Sequence, residues 1–256
     1  MKRSGLFITG TDTGVGKTRV TAGIAAALRR LTTEGRIPDM GVKLWKPVQT
    51  GVASSQEQEA DSFRLAYESG LTGQANAIAS LTYPQPLAPW MAARRSGETI
   101  DYAALAEEGR SRMSAGGFLL VEGAGGLAVP LTDTKLIAHL AADLGLPLLI
   151  VARTGLGTVN HTLLTVAMAR QYGLSVAGVV LNETAAGRVA DAAAIEENAE
   201  MIEAFGHVPV LGKLPWLEQQ DGVPSPEWIE TIVEQLDWTS LLGYFIENGF
   251  HRRATV

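Results

Sequence analysis

The chain has 256 residues, 46% apolar and 19% charged, enough to bury a large core. Its formal net charge of −6 does not favour nucleic-acid backbones or anionic membranes, though it leaves room for a small local anion site. With no cysteine, disulfides, thiolate metal sites and cysteine nucleophiles are excluded, and His139, His161, His207 and His251 lie too scattered for ligand spacing.

The first apolar run, residues 6–9, follows the basic pair Lys2-Arg3 and is too short for a signal peptide. It reads as a strand, with a helix from Lys17 to about Leu31. Further strands are expected over 41–45, 118–121, 147–151, 176–181 and 208–211. They are rich in Val, Ile and Leu without polar alternation, as strands buried on both faces are. Between them lie helical patterns over 101–113, 135–144, 158–172 and 190–205. This alternation implies right-handed βαβ units in one α/β domain, a mostly parallel sheet of about seven strands with helices on both faces. The segment Tyr83-Pro84-Gln85-Pro86-Leu87-Ala88-Pro89 reads as an ordered surface connection. Beyond Pro226, the residues Trp228, Ile232, Leu236, Trp238, Leu241 and Leu242 suggest one or two helices over about 225–250, and 251–256 read as a frayed end. No apolar stretch approaches the ~20 residues a membrane helix needs, so a cytoplasmic protein is expected.

In open sheets of this kind ligands sit beyond the C-terminal strand ends, so the residues there carry the functional signal. After the first strand comes Gly10-Thr11-Asp12-Thr13-Gly14-Val15-Gly16-Lys17-Thr18, which opens a helix. That is the setting of a P-loop, in which backbone amides and the helix N-terminus cradle phosphates, Lys17 reaches the β/γ-phosphates and the Thr18 hydroxyl binds Mg²⁺. The usual spacing puts the first glycine at position 11, where Thr11 stands; the motif is irregular by one residue.

The second strand runs into Lys46-Pro47-Val48-Gln49-Thr50-Gly51. Lys46 is either a cation for a transferring phosphoryl group or anionic acceptor, or a solvated lysine before a turn. In Glu57-Gln58-Glu59-Ala60-Asp61, each carboxylate is a favourable charge at a helix start or a metal ligand. The third strand ends in Val121-Glu122-Gly123-Ala124-Gly125-Gly126, where Glu122 is placed to meet a P-loop Mg²⁺ or to be a buried acid held by loop amides. The amides of Gly157, Thr158, Val159 and Asn160 open a helix and suit a carboxylate, and Asn182 ends the fifth strand, where an amide can read a base edge; a plain cap explains either.

Taken in order, the motifs at 10–18, 46–51 and 121–126, with Gly-Thr-Val-Asn-His at 157–161 and Leu-Pro-Trp-Leu at 214–217, resemble the dethiobiotin synthases over residues 6–217. The resemblance implies a homodimeric, Mg²⁺-dependent ligase that joins CO₂ to 7,8-diaminononanoate with ATP and closes the ureido ring. Lys17 and Lys46 would then be catalytic, and Thr18, Asp61 and Glu122 the metal ligands. Thr13, Gly14, Val15, Gly16, Lys17, Thr18, Asp61, Glu122, Gly123, Ala124 and Gly125, with Asn182, Pro215, Trp216 and Leu217 at the base, would bind ATP. Thr11, Lys46, Thr50 and Gly126 would contact the diamine, and Gly157, Thr158, Val159 and Asn160 its carboxylate from the partner. Thr50 stands where members often carry serine, and Asn198 where some carry a tyrosine at the substrate tail. No nucleic acid or membrane partner is implied. Two groups of similar sheet fit less well. The partitioning and cell-division ATPases carry an early loop lysine where Asp12 stands, and the amidoligases of corrin synthesis append a glutaminase with a catalytic cysteine.

Overall fold

The computed structural model describes residues 5–72, 75–184, 191–218 and 225–247; the expected frayed end, 251–256, lies outside them. The first strand, β1 (Gly5–Gly10), is wholly buried, and its residues alternate between two cores: Leu6 and Ile8 pack into one, Phe7 into the other. A strand buried on both faces needs helices on both, and the chain supplies them in this order: α1 (Lys17–Thr33), β2 (Val42–Thr50), α2 (Asp61–Glu68), α3 (Ala75–Ile78), β3 (Ala79–Tyr83), α4 (Pro89–Arg95), α5 (Tyr102–Ser114), β4 (Phe118–Glu122), α6 (Ile137–Leu144), β5 (Leu148–Arg153), α7 (Thr158–Gln171), β6 (Val176–Asn182), α8 (Ala192–Gly206), β7 (Val210–Leu214), α9 (Pro226–Gln235) and α10 (Trp238–Glu247). The sheet has the order β3-β2-β4-β1-β5-β6-β7, parallel throughout.

From β1 the chain steps outward to β2 and β3, returns to β4, then builds β5 to β7 on the other side. Crevices open where the direction of winding changes, beside β1 and at its C-terminal end. Residues of α1, α2 and α9 fill one core; α5 and α6 cover the other, where Trp45 is fully buried and contributes about 2–3 kcal/mol of apolar burial. No helix among the described residues is long and apolar enough to cross a membrane.

The sheet departs from the sequence reading at its edges. Strand β3 is absent from the expected strands because Ala-Ser-Leu-Thr-Tyr at a half-buried edge has no apolar run. Strand β2 continues to Thr50, through Pro47, because β4 stops pairing with it after Trp45 and the proline meets only one neighbour strand. The last strand, expected over 208–211, is shifted to Val210–Leu214, since Gly212 and Lys213 obscure the apolar pattern. Helix α8 starts at Ala192, capped by Asp191; position 190, its expected start, lies outside the described residues.

Two consecutive glycines before β4 give a test of backbone geometry. Gly117 has φ +86°, and a Cβ there would lie 2.3 Å from the Gly41 carbonyl oxygen; Gly116 has φ +74° and nothing within 4 Å. Gly117→Ala is expected to cost about 3 kcal/mol and Gly116→Ala about 1 kcal/mol, read from urea unfolding midpoints. Equal costs would show that the close approach of the two strand entries carries no strain.

Candidate active site

Past Gly10 the chain leaves the sheet in the phosphate loop. The Thr11 amide donates to the Val151 carbonyl at 3.0 Å and Gly10 to Gly125 at 3.4 Å, so the loop rises from between β4 and β5. A Cβ on Gly10 would lie 2.7 Å from the Asp12 carbonyl oxygen and 3.0 Å from Cδ of Lys17. The glycine requirement falls there rather than at Thr11, which accounts for the irregular spacing. At the other end Gly16 caps α1 with φ +86°, and a Cβ on it would lie 2.2 Å from Nδ2 of Asn182. Asn182, buried at the end of β6, donates from Nδ2 to the Val15 carbonyl at 3.0 Å and so supports the loop from below. Its Oδ1 is buried without a partner among the described residues.

Lys17 and Thr18 follow in the first turn of α1. The Lys17 ammonium donates to the Asp12 carbonyl at 3.1 Å. Burial, then repulsion from Lys46, lowers its pKa against the pull of the nearby carboxylates. The Thr18 hydroxyl lies 3.0 Å from Oδ1 of Asp61 and 2.9 Å from Oε1 of Glu122, so it faces both acids.

Strand register brings the remaining groups together. Trp45 pairs with Val121, so the next residues, Lys46 and Glu122, stand side by side where β4 ends and β2 runs on beside β3. Lys46 is 2% exposed and Glu122 fully buried. The Lys46 ammonium lies 2.6 Å from Oε1 of Glu122 and 2.6 Å from Oδ2 of Asp61, and 3.3 Å from the Gly123 carbonyl. Burial alone would lower its pKa, but the two carboxylates outweigh burial and raise it. Asp61 shows the reverse balance: burial would raise its pKa, yet Lys46 and the Thr18 hydroxyl hold it below its ordinary value. This lysine is no solvated residue before a turn.

Asp61 is held by a device absent from the sequence reading. Helix α2 begins at Asp61 behind Ala60, which offers no side-chain cap. The buried Gln49 of β2 does that work, its Oε1 accepting the Ser62 amide at 2.9 Å and its Nε2 donating to Ser62 and Thr82 hydroxyls at 3.0 Å each. Asp61 is thereby fixed to the strand that carries Lys46.

These groups open into a cavity of about 570 Å³, a size that suits a small organic ligand. Of the expected site residues it is lined by Thr13, Gly14, Gly16, Lys17, Thr18, Lys46, Thr50, Asp61, Glu122, Ala124 and Gly125. Pro86, Leu87, Ala88 and Pro89 form an apolar wall, so the proline-rich segment is part of the site and not a mere surface connection. Val48, Val129, Arg19 and Arg64 also line the cavity and were missed, having no motif of their own. Val15, Gly123 and Gly126 lie just behind the lining, the Gly123 amide donating to the Ile8 carbonyl at 2.9 Å.

Thr11, Asn182, Pro215, Trp216 and Leu217 do not line the cavity, and neither do Gly157, Thr158, Val159 and Asn160. The Thr158 amide bonds to Gly155 at 3.1 Å and its hydroxyl to the Arg153 carbonyl at 2.5 Å. Val159 and Asn160 follow in the first turn of α7, where amides have no partner within the helix. The Asn198 amide donates to the Thr154 carbonyl at 3.1 Å, tying α8 to the same loop.

The acids and the hydroxyl are hard oxygen donors converging on one point, the set a small divalent cation takes. Oε2 of Glu122 is buried with no partner among the described residues, leaving a carboxylate oxygen for such an ion. No cluster of three His, Cys, Asp or Glu capable of holding a metal occurs among the described residues; a third oxygen would have to come from the threonine.

A family model described as an AAA domain matches residues 4–223. The ATP-dependent dethiobiotin synthetase BioD of Bacillus cereus strain G9842 is 41% identical over 245 residues, spanning 96% of this chain and 96% of its own. That of Bacillus thuringiensis strain Al Hakam is 39% identical over the same length and share of each chain. Among solved structures, a ParA family ATPase from Chlorobium tepidum matches with a TM-score of 0.50 at 15% identity, covering 91% of this chain and 98% of that one. This last likeness is one of fold.

Proposed function

The chain belongs to the ATP-dependent dethiobiotin synthetase family, and from that premise we propose that its cavity closes the ureido ring of dethiobiotin from 7,8-diaminononanoate, CO₂ and ATP. One amine adds to CO₂ and, on losing a proton, becomes a carbamate. A carbamate oxygen displaces ADP from the γ-phosphorus. The second amine then attacks the carbamoyl carbon, and phosphate leaves with the closing of the ring. The observation that carries this reading is the buried Lys46 ammonium, 2.6 Å from each of two carboxylates, in a residue that lines the same cavity as the phosphate loop. An acceptor that is itself an anion is repelled by ATP, and a fixed cation between them offsets that repulsion. Lys17 neutralises the β/γ-phosphates, Thr50 and the backbone after Glu122 position the diamine, and the apolar wall at 86–89 takes its methylenes. Holding both amines of one molecule makes ring closure intramolecular. Thr18, Asp61 and Glu122 would hold Mg²⁺, which supplies further neutralisation of the phosphate oxygens. At the base, Asn182 with Pro215, Trp216 and Leu217 would contact adenine.

The test is direct. Purified protein given diamine, bicarbonate, ATP and Mg²⁺ is expected to release ADP only when the diamine is present and to yield a cyclic urea by mass spectrometry. Diamine-independent hydrolysis with no ring product would falsify the reading.

The proposal extends to a cytoplasmic homodimer of single-domain protomers. Leu156, just before α7, is fully exposed beside Gly157, Thr158, Val159 and Asn160, and Leu164, one turn on from Asn160, is 61% exposed; Phe205, 72% exposed, lies at the far end of α8. A second copy covering that apolar face would bring the α7 amides to the partner's diamine. Leu164→Glu is expected to give a monomer in sedimentation velocity and to raise the KM for the diamine about tenfold or more, with ATP binding unchanged. A dimer with normal KM would remove this part of the reading.

A further inference from the structure

Arg19 stands directly after Thr18 in the first turn of α1, and its side chain lines the cavity. No salt bridge among the described residues involves it. Its guanidinium instead stacks over the ring of Trp228, 4.3 Å from the centroid. Trp228 comes from α9, beyond the span matched by the family model. Its indole Nε1 donates to the Arg19 carbonyl at 3.2 Å. One turn along α1, a Cβ on Gly23 would lie 2.6 Å from that same Nε1 and 3.0 Å from Ile232, so the absent side chain lets α9 seat closely. Trp228 is 4% exposed and is set by the cap of its own helix, where Ser225 accepts its amide. The tryptophan thus grips Arg19 twice, by its main chain and by its cation.

A second guanidinium lines the cavity beside it. Arg64 of α2 lines the same cavity and pairs with the buried Glu68 at 3.0 Å. Arg19 lies within the field of both the Glu68 carboxylate and the Arg64 guanidinium. Burial lowers the Arg19 pKa, Glu68 opposes that and Arg64 adds to it; an arginine remains cationic under such shifts. Stacking occupies only the flat face of a guanidinium, and its N–H donors project from the edge, free to fork onto phosphate oxygens.

Lys17 and Thr18 serve the γ end of a bound triphosphate, beside Asp61 and Glu122. The amides of the loop and first turn take the α/β portion. We propose that Arg19 is a nucleotide-binding residue that contacts the α/β-phosphates of ATP and ADP, and that Trp228 positions it, so that helix α9 sets nucleotide affinity. This rests on the reading of the cavity as an ATP site.

Calorimetric titration of ADP with Mg²⁺ tests it, on wild type, Arg19→Gln, Arg19→Lys and Trp228→Phe. Arg19→Gln is expected to weaken ADP about tenfold and raise the KM for ATP by a similar factor, with kcat and the KM for the diamine within twofold of wild type. Arg19→Lys keeps the charge without the fork and is expected to recover part of the loss. Trp228→Phe keeps the stacking face but loses the indole donor, and is expected to cost about threefold. Arg19 is half-buried rather than core, so Arg19→Gln should melt near wild type. ADP affinity within twofold in Arg19→Gln, or a fall in kcat with affinity intact, overturns the proposal. Failure of wild type to bind ADP or ATP overturns instead the ATP-site reading beneath it.

Discussion

Lys46→Ala is expected to lower turnover about a thousandfold while ADP binding changes little, because in the proposed reaction Lys46 would act on the transferring phosphoryl group and its acceptor whereas the loop amides and Lys17 would hold the nucleotide. The structure adds a second consequence. Lys46 lies between Asp61 and Glu122 at 2.6 Å from each, and only 2% of it is exposed. Its removal leaves two acids facing each other with their cation gone, at a cost of about 3–5 kcal/mol to the metal-free protein. If the same acids with Thr18 take Mg²⁺, the ion replaces the missing charge. Mg²⁺ is then expected to raise the thermal midpoint of Lys46→Ala by several degrees more than that of wild type. Undiminished turnover would take Lys46 out of the reaction, and an equal Mg²⁺ response in both proteins would argue against the ligand set.

The contrast between Lys46 and Arg19 shows what a sequence can disclose about such a site. Requirements that are local to the chain were readable. The phosphate loop needs a strand, particular glycines and a helix start within a short stretch, and Gly10, Gly16, Lys17 and Thr18 meet them in order. Glu122 could be marked as a candidate because it closes a Leu-Leu-Val strand beside three glycines, at the C-terminal edge of the sheet where ligands sit. Lys46 sat between two meanings until the Trp45–Val121 register placed it beside Glu122. Strand β3 was hidden because an edge strand need not be apolar on both faces. Gln49, Arg19 and the wall at 86–89 were hidden for another reason: their work depends on partners distant in sequence. Gln49 matters through Ser62 and Thr82, and Arg19 through Trp228, 209 residues away. No spacing rule covers such pairs.

Glu122→Gln provides the complementary test, with an equally large expected effect on turnover. Oε1 of Glu122 accepts both the Thr18 hydroxyl at 2.9 Å and the Lys46 ammonium at 2.6 Å, and an amide oxygen can still do so. The amide nitrogen, however, would occupy the place of Oε2, a buried position without a partner among the described residues. A donor without an acceptor and a lysine stripped of one counter-charge together cost about 2–3 kcal/mol. Turnover is expected to fall about a thousandfold, since on the proposed reading the substitution would also remove a carboxylate from the metal set. The double variant Lys46→Ala, Glu122→Gln then separates stability from function. Each single change strands a charge that the other removes, so the double variant should unfold in urea with a cost about 1–3 kcal/mol below the sum of the two singles. Its turnover should remain at the level of either single variant, because groups that act as one unit in a reaction do not lose activity additively. Strict additivity in stability would mean that Lys46 and Glu122 do not compensate each other, and the electrostatic account of this site would fail with it.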